Sequence, residues 1–192
     1  DPYLASIRES LSFLLDVRQE TLLELWEVRR GLEGQIAPLA AGRCSAADIE
    51  KLRNLTDEMR GRRSSSEAFV HSGIAFHRTL AEAAGNTVLL TLWEAIAGLI
   101  EKSQRRIIGI PGQPDEALAK HEALLAAVEA GDTEAASAAM REHMDAEGEH
   151  LRAALIAAGG AGLISEPKNH PNNIAEGEIQ GKKKGEARIR NL

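Results

Sequence analysis

The stretch GIAFHRTLAEAAGN, residues 73–86, shows the pattern that decides the fold. Its large and small apolar residues recur every four positions, which places them on one face of a helix: Phe76, Leu80 and Ala84. His77 lies among them, and the Gly-Asn pair at the end of the stretch favours a turn. The sequence therefore predicts an amphipathic helix that carries a titratable ring on its buried face. Gly73 lies one turn before His77 on the same side of this helix.

Helical periodicity continues along most of the chain and predicts an all-α bundle of six to seven helices. No segment alternates between apolar and polar residues as a strand would. The seven expected helices cover about residues 1–16, 18–41, 45–62, 64–85, 87–108, 115–130 and 133–157. Ser45, followed three residues later by Asp48, forms a predicted capping box at the start of the third helix.

Composition narrows the class of protein. The chain has 192 residues, 43% of them hydrophobic and 3% aromatic, which is enough for one domain with a core. The single cysteine, Cys44, allows no internal disulfide and is expected to be inert, which fits a cytoplasmic protein. The formal net charge of -6 makes direct DNA binding unfavourable. The longest apolar run contains Glu94 and is too short to cross a membrane.

Arg29 interrupts the apolar stripe of the second predicted helix. The stripe consists of Leu22, Leu25, Trp26, Leu32 and Ile36. Glu33 follows Arg29 by one turn, also within the stripe. A guanidinium that faces a core needs a partner, because an unpaired buried charge is very costly. Two interpretations stay open: an internal pair with Glu33 in which Arg29 extends outward, or a cavity in which Arg29 binds a carboxylate bidentately.

Three histidines lie on the apolar faces of three different predicted helices: His77, His121 and His143. A single histidine in such a place is more often a hydrogen-bonded core residue than a ligand. Three of them, one on each helix, also fit a metal site in a bundle core, because imidazole binds zinc, nickel, copper and iron. Spacing alone leaves both interpretations open.

Four motifs in order resemble the FCD effector-binding domain. This domain is the C-terminal half of FadR-subfamily transcription regulators in the GntR superfamily. The motifs are ELWEVRRGLEGQIAPLAAGR, GIAFHRTLAEAAGN, KHEALLAAVEAGD and AAMREHM, and together they cover about residues 20–155. The resemblance implies an antiparallel bundle, usually a homodimer, with a central ligand cavity.

The resemblance also implies site residues. Many FCD domains bind a divalent metal through one Asp and three His, and the histidine positions fall on His77, His121 and His143. The Asp position falls on Gly73. Two expectations follow: zinc, nickel or manganese binds weakly or only together with an effector, or the metal is lost and the histidines act as donors to an anionic ligand. Arg29 matches a recurrent arginine, and small carboxylate effectors are expected to contact it together with the three histidines.

The resemblance divides the chain into three parts. Residues 1–17 are expected to be a connector helix from an N-terminal DNA-binding domain that this chain lacks, residues 18–160 the effector-binding bundle, and residues 161–192 a polar, flexible tail. The expected function is a ligand-sensing, dimerising domain that controls DNA binding allosterically. The alternatives are a metal-dependent bundle enzyme that acts on a small organic acid and a plain helical interaction module.

Overall fold

The computed structural model describes residues 6, 9–10, 21–63 and 65–158. Residues 21–63 and 65–158 form six helices and no strand: α1 (Thr21–Ala41), α2 (Ala46–Gly61), α3 (Ser66–Ala83), α4 (Thr87–Ile107), α5 (Gln113–Glu129) and α6 (Thr133–Ala157). The predicted all-α class is confirmed, and each of the six corresponds to a predicted helix. The connector at 1–17, apart from residues 6, 9 and 10, and the tail at 161–192 lie outside the described residues.

The helix boundaries follow the capping residues in the sequence. Ser45 caps α2 in a full capping box, because its hydroxyl accepts from the Asp48 amide while the Asp48 carboxylate accepts from the Ser45 amide. Asn86 and Asp132 cap α4 and α6, each by accepting from two backbone amides. Gly85 adopts a left-handed φ of 61°, which lets the chain turn between α3 and α4.

Helix α1 packs against α6, α3, α4 and α5, so it lies at the centre of the bundle. The apolar face predicted for residues 73–86 is fully buried, and the core also contains the ring of Trp93. Of the apolar stripe predicted on α1, Leu25 and Ile36 are buried and the rest is half-buried. This packing places the inward faces of α1, α3, α5 and α6 around one interior region. No helix in residues 21–63 and 65–158 has the length and apolar character needed to cross a membrane.

Candidate metal and effector site

The structure brings the three predicted histidines together in the core. His77 comes from α3, His121 from α5 and His143 from α6, and all three are buried. One ring nitrogen of each lies within 4.8 Å of the others. The Nε2 atoms of His77 and His143 are 3.1 Å apart. We call these three residues the histidine cluster.

The outer ring nitrogens of His121 and His77 contact groups that only accept hydrogen bonds. His121 Nδ1 is 2.7 Å from the carbonyl oxygen of Ala117, and His77 Nδ1 contacts a carboxylate oxygen of Glu33. These nitrogens therefore carry the hydrogens, which leaves lone pairs on the Nε2 atoms that face the cluster. The Nε2 of His121 is buried and has no hydrogen-bond partner among the described residues.

The donor set of the histidine cluster fits a divalent cation. A carboxylate or a carbonyl that fixes the outer nitrogen is the usual support of a metal-binding histidine. Two nitrogens bound to one ion at 2.0–2.1 Å are separated by about 2.9 Å at a right angle and by about 3.4 Å at a tetrahedral angle. The 3.1 Å between His77 and His143 lies within that interval. An unpartnered Nε2 on His121 gives a third donor atom.

Arg29 lies beside the cluster and is held by two carboxylates. Its Nε donates to Glu33 at 2.8 Å and its NH1 donates to Glu147 at 2.5 Å, and only 3% of the Arg29 surface is exposed. The internal pair with Glu33 that the sequence allowed is present, but Arg29 does not extend outward to solvent. Its second partner, Glu147, comes from α6 and was not predicted.

The electrostatics keep all three of these groups charged. Burial alone would lower the pKa of Arg29, but Glu147 and Glu33 hold it above its ordinary value. Burial would raise the pKa of Glu33, but Arg29 and His77 lower it to about 2. Glu147 likewise has a pKa well below its usual range, because Arg29 and His143 outweigh its burial. One guanidinium thus faces two carboxylates beside the histidine cluster.

The predicted central cavity exists but is small. Its volume is about 20 Å³, and its polar lining consists of Arg29, His77, Gln104, Gln113, His121 and Glu147. A single water needs about 10–15 Å³. An organic acid therefore fits only if the helices that carry these side chains move apart.

Comparison with known proteins identifies the family of this chain. Residues 24–146 match the FCD domain family. The chain belongs to that family. The Bacillus subtilis (strain 168) HTH-type transcriptional regulator LutR is 30% identical over 146 residues, which cover 73% of this chain and 67% of LutR. The Escherichia coli (strain K12) galactonate operon transcriptional repressor is 31% identical over 114 residues, 59% of this chain and 50% of that protein.

Two solved structures share the fold of this FCD domain. Escherichia coli McbR/YncC superposes with a TM-score of 0.61 at 19% identity, over 68% of this chain and 67% of that one. Streptococcus agalactiae GntR superposes with a TM-score of 0.61 at 23% identity, over 72% of this chain and 63% of that one. At this identity the two structures establish the fold alone.

Position 73 is where this FCD domain departs from the Asp that the resemblance implies. A Cβ added at Gly73 would lie 3.8 Å from His121 Nε2 and 3.8 Å from the Met59 sulfur, which is ordinary van der Waals contact. Helix packing therefore does not require a glycine here. The missing side chain instead leaves the cavity open beside His121.

Two residues of the candidate site were not predicted from the sequence. Glu147 lies one turn after His143 on the same face of α6, and this spacing was the available signal. Gln113 lies at the start of α5, two residues before the predicted start, and is 3% exposed. Its Oε1 atom lines the cavity and has no hydrogen-bond partner among the described residues. No pattern in the sequence marks Gln113 as buried.

The other described histidines and Cys44 do not line this cavity. His71 is exposed, and His150 is half-buried beside Glu116, 3.4 Å away; His170 is outside the described residues. Burial and the charge of Asp48 raise the pKa of the Cys44 thiol to about 11. A thiol that stays protonated is a poor nucleophile, in line with the inert role expected for Cys44.

Proposed function

We propose that this FCD domain is the sensory part of a transcription regulator and binds a small carboxylate metabolite beside Arg29 and the histidine cluster. The observation that carries the proposal is the unpartnered Nε2 of His121, which lies at a small cavity that a buried guanidinium also lines. An unpaired buried polar atom costs free energy. A ligand that bonds to it recovers that free energy.

The curated relatives support a regulatory role and an acidic effector. Both bear the names of transcription regulators, and one is named for the operon of galactonate, which is a carboxylate with several hydroxyl groups. The chain spans 67% of LutR and 50% of the galactonate operon repressor. DNA binding by the whole protein is therefore proposed to use a further domain, as the resemblance implies.

The proposed mechanism depends on the small size of the cavity. An acid that enters must separate α1, which carries Arg29, from α5, which carries His121 and Gln113. The acid therefore binds only the widened arrangement and shifts the population toward it, which couples the site to the surface of the bundle. Zinc, nickel or manganese held by the histidine cluster would supply positive charge for the carboxylate.

The proposal includes a homodimer, on the family resemblance and on exposed apolar residues. Val88 and Leu92 lie one turn apart on α4 and are 68% and 51% exposed. Side chains of this kind on an outer helix face favour contact with another protein surface. Light scattering on the purified chain reports the oligomeric state directly.

Thermal unfolding with a panel of hydroxy acids, sugar acids and dicarboxylates tests the sensory role. An acid at a hundred times its dissociation constant should raise the free energy of unfolding by about 2.7 kcal/mol. Arg29→Lys keeps the charge but loses the planar fork, and it should lose most of this response. Arg53→Lys, at an exposed ion pair with Glu129, is the matched control and should keep it.

Two outcomes would contradict the proposal. The first is that no acid in the panel raises the melting temperature, with or without added zinc, nickel or manganese. The second is that mass spectrometry finds the bound acid to be chemically converted. The second outcome would favour the metal-dependent enzyme, and failure of both acids and metals to bind would favour an interaction module.

A further inference from the structure

Helix α6 contributes a buried carboxylate to the cavity that Gly73 also lines. Glu147 is 7% exposed and lies four residues after His143, one turn along the same face. Its Oε1 atom is 3.2 Å from His143 Nε2. That separation nearly equals the 3.1 Å between the Nε2 atoms of His77 and His143. Both distances suit pairs of donor atoms that share one ion, which are separated by about 2.9–3.4 Å.

We propose that Glu147 supplies the carboxylate ligand of a divalent-cation site whose other ligands are the three residues of the histidine cluster. The carboxylate comes from α6 in place of position 73 on α3. The proposal deepens the proposed function, because it concerns the same cavity. The Glu147 carboxylate already lies beside His143, and its approach to His77 and His121 would complete the set of ligands.

Arg29 and Glu33 act as positioning residues for this site. Arg29 NH1 holds the Oε2 atom of Glu147 at 2.5 Å, which leaves Oε1 directed at His143. Glu33 contacts the outer nitrogen of His77, so the inner nitrogen faces the cluster. Groups that hold a ligand from behind in this way fix its orientation and typically contribute about tenfold to a hundredfold in metal affinity.

The groups around the site also favour a cation. Arg29 is shared between the carboxylates of Glu33 and Glu147, so the carboxylates outnumber the guanidinium beside the histidine cluster. A divalent cation held by the three histidines would be attracted by both carboxylates.

The competing explanation is that Glu147 serves only as a counter-ion for Arg29. In that case it contributes to folding and leaves metal affinity unchanged. Zinc titration of chelator-treated protein, followed by calorimetry, separates the two roles. Glu147→Gln keeps the size and an acceptor for Arg29 but removes the charge, and it should weaken zinc binding at least about tenfold. Glu149→Gln, an exposed glutamate on the same helix, should bind zinc like the parent.

A rescue variant completes the test. Gly73→Asp introduced into Glu147→Gln should restore most of the zinc affinity, because it places a carboxylate one turn before His77. Glu147→Asp keeps the charge near Arg29 but shortens the reach to the cluster, and it should also weaken zinc binding. This variant decides the question if Glu147→Gln does not fold.

Two results would overturn the inference: zinc binding by Glu147→Gln and Glu147→Asp that equals that of the parent, or no zinc binding by the parent. Neither decides the proposed function, since acid-induced stabilisation through Arg29 is measured separately with metal-free protein.

Discussion

Arg29 and Glu147, separated by 118 positions in the sequence, form a buried ion pair of 2.5 Å between α1 and α6. Through this pair Arg29, the candidate anion-binding residue on α1, is bonded to α6, which also carries His143. Arg29 is therefore both a structural residue and a candidate ligand for an acid. Loss of the structural role should lower the free energy of unfolding, as tested with Arg29→Ala. Loss of the acid-binding role should lower the stabilisation by added acid, as tested with Arg29→Lys.

Arg29→Ala should destabilise the protein by about 3–5 kcal/mol, because it leaves the buried carboxylates of Glu33 and Glu147 without their partner. Urea unfolding measures the change. Arg53→Ala removes an exposed ion pair with Glu129 and should cost about 0–1 kcal/mol. Equal effects of the two substitutions would mean that the Arg29 network does not contribute to folding.

The stability of the protein should fall as the pH falls from neutral. The pKa of His121 is held well below its ordinary value of 6.5 by burial and by His143 and His77. The unfolded chain therefore takes up this proton first, which favours unfolding below that pH. Glu33 adds a second loss between its ordinary pKa of 4.5 and its folded pKa of about 2, because only the unfolded chain is protonated there.

Melting temperatures measured in steps from neutral pH down to the folded pKa of Glu33 check this expectation. His121→Gln should remove the upper part of the decline and leave the lower part. Glu149→Gln, an exposed residue, should leave both parts in place. A melting temperature that rises on acidification would contradict the assigned charges.

The helices and the histidine cluster were predictable because their signals are local. Ser45 and Asn86 are capping residues next to the helices they begin, and three histidines on apolar faces must point into the same core. The partner of Arg29 was not predictable, since Glu147 meets it only through the packing of α1 on α6. Gln113 was missed for the same reason: its burial follows from tertiary packing, and its residue type favours a surface position.

Gly148→Ala should destabilise the protein because α6 approaches α1 closely at this residue. A Cβ there would lie 2.5 Å from the ring of Trp26, whose Nε1 donates to the Met144 carbonyl at 2.6 Å. Moving the ring should cost about 1–3 kcal/mol. Gly98→Ala, in an exposed part of α4 with no atom within 4 Å of the new Cβ, should stabilise by about 0.5–1 kcal/mol. Chemical unfolding of the two variants should give opposite signs; the same sign would contradict the packing at Trp26.

Gln113→Leu should separate ligand recognition from stability. The substitution removes a buried Oε1 without a partner among the described residues, so the free energy of unfolding should stay level or rise by up to about 1–3 kcal/mol. The stabilisation by an acid that carries a hydroxyl group should fall, because the carbonyl that would accept from that hydroxyl is lost. Gln104→Leu, which changes a glutamine of α4 that lines the same cavity, is the comparison. An unchanged acid response in Gln113→Leu would remove Gln113 from the effector site.

Gly73→Asp should tighten the binding of zinc, nickel or manganese to the otherwise unchanged protein. Residue 73 is one turn before His77, and a Cβ there lies 3.8 Å from His121 Nε2, so a carboxylate reaches the histidine cluster without a clash. Replacing glycine within a helix gains a few tenths of a kcal/mol in helix propensity, about 0.3. A buried carboxylate without a metal is unfavourable, so metal-free protein should lose stability near neutral pH and regain it as the carboxyl is protonated. Added metal should then raise the melting temperature of the variant more than that of the parent.

Calorimetry on both proteins, with His121→Ala as the variant that lacks one nitrogen ligand, gives the affinities. Equal affinity in all three proteins would mean that the histidine cluster holds no metal and that Gly73 keeps space for the effector alone.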